Sequence, residues 1–97
     1  MAKAKAEAKQ QASVLAVGEK VFIRTVTHYY TGEIEALSAE TITLKDAAWI
    51  ADTARFGVAL TTGALNEVEP YPGGVEVFRG ACVDICKWPH PLPREAK

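Results

Sequence analysis

The sequence predicts one small, mainly β domain, and three observations carry that expectation. Apolar and polar residues alternate with period two over several short stretches, the signature of strands with two unlike faces. Turn-forming clusters punctuate these stretches, among them Gly18, Ser38-Ala39-Glu40 and Pro72-Gly73-Gly74. The chain has only 97 residues, too few for two cores that would each outweigh chain entropy.

Residues 1–13 come first and form an arm rich in Ala, Lys, Glu and Gln. All are strong helix formers, but with so few apolar anchors a free helix of that length is marginal in water. The arm is read as a helix docked on a neighbour, or as a frayed end. The domain proper spans residues 14–88. Val21, Ile23 and Thr25 alternate with Phe22, Arg24 and Val26 in a first strand. Tyr30, Gly32, Ile34 and Ala36 continue the alternation through a second, where Gly32 signals a bend or a close backbone approach. Ile42 and Leu44 alternate with Thr41, Thr43 and Lys45 in a third.

Residues 46–65 change character. A short helix is expected near residues 53–62, capped by Asp52 or Thr53 and ended by Gly63, with Phe56 and Leu60 on its inner face. Glu67-Val68-Glu69 makes a short strand. The run from Val75 to Trp88 reads as one long final strand. Pro89, Pro91 and Pro93 cannot donate to a ladder, so residues 89–97 leave the sheet as an extended tail.

Composition narrows the function classes. The residues are 48% hydrophobic and 24% charged, the balance of a globule with a real though modest core. Domains of this size are marginally stable alone, and association is a common remedy. A net charge of −1 gives no broad field to draw in nucleic acid or an anionic membrane. No apolar run approaches the roughly 20 residues that span a bilayer. The first residues lack the apolar stretch of a secretory signal. Cytoplasmic residence, or a place in an assembly built there, is expected.

The chemistry-bearing residues are sparse. Cys82 and Cys86 are the only cysteines. On one strand they stand about 13 Å apart at about 3.3 Å per residue, beyond the Cα separation of about 7 Å that a disulfide tolerates. They are expected as buried or interfacial thiols. His28 and His90 are the only histidines. A thiol enzyme would need Cys86 activated by a base such as His90. No phosphate loop, metal motif or nucleophile elbow is present. No catalytic residue, cofactor, metal or small-molecule substrate is therefore expected.

Two blocks resemble the motifs of the Sm and Sm-like family. The first is Gly18-Glu-Lys-Val21-Phe-Ile23, Tyr30-Thr-Gly32-Glu-Ile34 and Ile42-Thr-Leu44-Lys-Asp46-Ala47; the second is Val77-Phe-Arg79-Gly80-Ala-Cys-Val83-Asp-Ile85. The resemblance covers roughly residues 14–50 and 66–88, and it implies a strongly bent, five-stranded, SH3-type barrel with an N-terminal helix. Ring closure is implied too, by pairing of the fourth strand of one subunit with the fifth of the next. The family's RNA pocket uses an Asp and an Asn before the third strand. Here Leu37 and Thr41 stand near those positions, and only Arg79 and Gly80 match the rest of the pocket.

Two functional expectations follow. The leading one is a non-enzymatic, self-assembling structural subunit whose partner is itself, in a ring or larger array. Phe78, Cys82 and Cys86, with Trp88 and Val68, are expected to form its interface, because an apolar row at a strand edge calls for a permanent partner. The tail would extend towards neighbours. The alternative is single-stranded RNA, contacted by Arg79, Gly80, Tyr29, Tyr30, His28 and Arg24, a mixture of positive charge and stacking rings.

Overall fold

The computed structural model describes residues 13–97, so the expected N-terminal helix or arm lies almost wholly outside the described residues. Six strands form one antiparallel sheet: β1 (Lys20–Thr25), β2 (Tyr29–Leu37), β3 (Thr41–Asp52), β4 (Glu67–Pro70), β5 (Val75–Phe78) and β6 (Cys82–Lys87). One helix, α1 (Phe56–Thr62), lies between β3 and β4, and a 3-10 turn, Arg79–Ala81, lies between β5 and β6.

The hydrogen-bonded order is β4-β3-β2-β1-β6, with β5 also on β3. The long β3 is the organising strand. One edge carries β2 over most of its length. The other edge is shared: Thr41–Leu44 pair with β5 and Ala48–Asp52 with β4. Asp46, with φ of 50°, sits between the two halves. Asp is among the few non-glycine residues that adopt such backbone readily.

Gly32 makes the close approach its place in β2 predicts: a Cβ there would lie 3.0 Å from Leu44 Cβ on the neighbouring strand. A register shift across it, between Thr31 and Glu33, and a second between Ile34 and Ala36 add the twist that bulges bring.

Both faces of this sheet are covered. The first cluster joins Val21, Ile23, Ile34, Ile42, Leu44, Ala47 and Val77, with Tyr30, Cys82 and Ile85 packed against it. Val77 comes from β5 and Ile85 from β6, so the sheet curls until strands from its two ends touch one core. β5 and β6 do not pair with each other. The second cluster, Phe22, Ala48, Ile50, Ala59, Leu65, Val68 and Trp88, fills the opposite face. Val21, Phe22 and Ile23 are consequently all buried, although simple alternation predicts one wet face for β1.

Four sequence expectations are corrected. The final run is two strands, not one, because Arg79–Ala81 turns a corner. Among the described residues the strand count is six instead of five. The helix does end at Gly63, with φ of 82°, but Arg55 precedes it and no side chain caps it. Asp52 instead accepts the Ala54 amide at 2.9 Å, and Thr53 donates to the Ala54 carbonyl. The helix buries Ala59, while Phe56 stays 40% exposed.

The tail is the fourth correction. It does not reach outward but folds back over the second cluster, with Leu92 packed on it. The His90 ring bonds the Leu60 carbonyl at 2.7 Å, Lys20 Nζ donates to the His90 carbonyl, and Trp88 Nε1 donates to the Pro91 carbonyl. Val68 and Lys97 exchange backbone hydrogen bonds of 3.2 and 3.0 Å. The outer edge of β4 is thus occupied by the chain itself.

Candidate assembly edge and adjoining groove

The corner where β5 turns into β6 brings together much of what the sequence singles out. Val75 and Val77 face the first cluster, so period two turns Glu76 and Phe78 outward. Phe78 is 63% exposed. The chain then tightens into Arg79-Gly80-Ala81, anchored by the Arg79 amide on the Glu40 carbonyl at 2.8 Å. Beyond it β6 runs beside β1 with Cys86 opposite Phe22 and Ile85 opposite Ile23. A register shift at Arg24 and Thr25 leaves Val83 outside the pairing and 53% exposed. Among the described residues, β5 pairs only with β3 and β6 only with β1. Each therefore presents one open edge, the feature that proteins normally cover or blunt.

The five residues expected at an interface separate. Phe78 and Cys86 are exposed, and Cys82 is half-buried with its thiol near the Phe78 carbonyl. Trp88 and Val68 are each 1% exposed inside the second cluster, so neither offers a surface. Trp88 stacks on Phe22 with ring centroids 5.5 Å apart and meets His90 edge-on at 4.8 Å. Its burial depends on the returning tail, which no local pattern announces.

The residues expected to contact RNA are also divided. Tyr29 stacks on Phe22 at the second cluster, whereas Tyr30 packs on the first and reaches Tyr71. Adjacent strand residues face opposite sides, so the two rings make no common platform. Arg24 is bound by both carboxylate oxygens of Asp84, with contacts of 2.5 to 3.2 Å, and lies 6.0 Å from the Phe56 ring centre. Asp84 is held below the usual carboxylate range by that guanidinium. Among the described residues, Arg79 forms no ion pair, and its Nε is a buried donor without a partner.

Neither thiol is primed as a nucleophile. Burial pushes both pKa values up, and for Cys86 the Asp84 charge pushes the same way. His90 is engaged with Leu60 and Trp88. Among the described residues, no cluster of three or more His, Cys, Asp or Glu side chains could hold a metal, and no helix is long and apolar enough to cross a membrane.

Comparison with protein-family models, curated proteins and solved structures finds no match.

Beside the open edge lies a groove of about 300 Å³, between the β1–β2 turn and the β5 corner. Val26, His28, Tyr30, Glu76 and Phe78 line it. His28 meets Tyr30 edge-on at 4.8 Å and Trp49 at 5.3 Å. Its Nδ1 shares a 2.7 Å hydrogen bond with the Thr27 hydroxyl, and burial lowers its pKa. Sequence reading takes His28 and Tyr30 for RNA contacts; the exposed Val26 and the carboxylate of Glu76 are missed, since nothing local marks them.

Proposed function

We propose that this protein is a self-assembling structural subunit, a divergent Sm-like barrel whose curled sheet is completed between copies by edge-to-edge strand pairing. The observation that carries this reading is the pair of edges on β5 and β6 that stay unpaired among the described residues, joined by one 3-10 corner. An unpaired strand edge beside exposed Phe78 and Val83 is a standing template for another chain. The other vulnerable edge, on β4, is already closed by Lys97, which leaves the corner as the place for a partner. Motif likeness at Gly32 and Arg79-Gly80 supports the barrel. A non-enzymatic role and residence in the cytoplasm are part of the same proposal.

Sedimentation and native mass spectrometry at micromolar concentration test it. The expected result is a closed oligomer that falls to monomer on combined Phe78→Lys and Val83→Lys substitution, with far-ultraviolet circular dichroism unchanged. A wild-type protein that is monomeric throughout overturns the reading. Single-stranded RNA binding is the weaker alternative, because its tyrosines diverge and Arg24 is already paired. It rests on Arg79 alone.

A further inference from the structure

Strand pairing engages main-chain groups of the β5 edge, whereas the groove beside the corner is lined by side chains with a chemistry of their own. Its walls are largely apolar, and three of its side chains, His28, Tyr30 and Phe78, are aromatic rings. Val26 is 88% exposed at one rim and Phe78 is 63% exposed at the other. Glu76 is the one carboxylate in the lining, and no lysine or arginine lines the groove. Among the described residues, Glu76 has neither an ion pair nor a side-chain hydrogen bond. His28 brings no opposing charge near neutral pH, because burial favours its uncharged form. A volume of about 300 Å³ stands at the small end of ligand sites and suits one long side chain.

We propose that this groove binds the cationic side chain, a lysine or arginine, of an extended segment of a partner protein. The aliphatic stem lies along Val26 and Phe78, as long basic side chains do on apolar surface. The charged head sits beside Glu76 and the aromatic rings, whose faces attract cations. The lining selects against an acidic or neutral head: an acid meets the Glu76 charge, and a neutral chain forfeits both attractions. The site shares Phe78 with the β5 edge, but its charge selection rests on Glu76 and does not depend on self-assembly.

Ligand-observed saturation-transfer NMR suits the test, because it tolerates any oligomeric size. The probe is Nα-acetyl-lysine N-methylamide, compared with its norleucine counterpart, which keeps the stem and lacks the ammonium group. Expected is saturable binding of the lysine probe, about threefold tighter than norleucine, from exposed ion-pair and ring contributions. Glu76→Gln removes most of that preference and leaves norleucine binding unchanged. Val26→Ala weakens both probes. These side chains are exposed, so both variants are expected to fold, as circular dichroism verifies. Equal affinity for the two probes overturns the proposal, as does lysine binding that neither substitution alters. No saturable binding of the lysine probe at its solubility limit overturns it too, and leaves the assembly reading untouched.

Discussion

Replacing Trp88 by alanine separates a tryptophan in the protein's own core from one at a subunit interface. The indole is 1% exposed, stacked on Phe22 and flanked by His90. An aromatic side chain buries about 150–250 Å². At about 25 cal/mol per Å² this is worth about 4–6 kcal/mol, and large-to-small aromatic truncations in cores cost about 3–5 kcal/mol. A loss of about 4 kcal/mol is a large share of a small domain's total of about 5–15 kcal/mol. At about 4–8 °C per kcal/mol for a chain of this size, Tm falls by about 16–32 °C. Trp88→Phe keeps a ring on Phe22 but loses the donor to the Pro91 carbonyl, and costs about 1 kcal/mol for the hydrogen bond plus a smaller packing loss. Urea unfolding at two protein concentrations measures both. A cost below 1 kcal/mol for Trp88→Ala, or a cost that vanishes when the protein is diluted to monomer, means that a second copy covers the indole and refutes the intramolecular packing described above.

Other perturbations probe the remaining features. Gly63→Ala forces a side chain to φ of 82° and sets its Cβ 2.8 Å from His90 Cβ; thermal melts should show a loss of about 1–3 kcal/mol, smaller in a His90→Gly background, where that Cβ is gone. Asp84 and Asp52 have folded pKa values below the ordinary carboxylate, lowered chiefly by hydrogen bonds from Arg24 and from Asn66. Their contribution is therefore present above the unfolded aspartate value of about 3.9 and is lost as pH falls through the lower folded values. Carbon-detected NMR titration should place both midpoints below 3.9, and Asp84→Asn should flatten the acid limb of the stability curve. Ellman's reagent near pH 8 should modify Cys82 and Cys86 more slowly than free cysteine, because burial raises both thiols; faster reaction at either would reopen thiol chemistry.

How much of this was legible in the residues depends on whether the signal was local. The first three strands were, because Val21, Ile23, Ile34, Ile42 and Leu44 alternate towards one cluster. Gly32 and Gly63 were too, since each position demands something only a missing Cβ supplies. The break at Arg79–Ala81 was not, because Val75 to Trp88 keeps an apolar rhythm through a corner whose cause is the Glu40 carbonyl waiting in another turn. The continuation of β3 to Asp52 was hidden by Asp46, whose left-handed backbone looks in sequence like the start of a loop. The candidate site divides the same way. Phe78 and Cys86 could be placed outward by parity, but Trp88 and Val68 could not be seen as interior without the second cluster. That cluster is assembled from five separated segments and has no period of its own.

The shared edge of β3 has a consequence for how this domain can change. Leu44 and Val75 are direct partners across the β3–β5 ladder, so everything between them leaves the inner frame and returns to the same point. The excursion carries the second half of β3, α1 and β4, and it holds much of the outer core while contributing Ala47 to the inner cluster and packing Tyr71 against it. Its ends are already clasped, so lengthening or exchanging its tip around α1 adds only a small closure cost, about 0.6 kcal/mol per doubling of length, and shifts no inner register. The tip around α1, beyond the β3–β4 ladder, is therefore where insertion costs least.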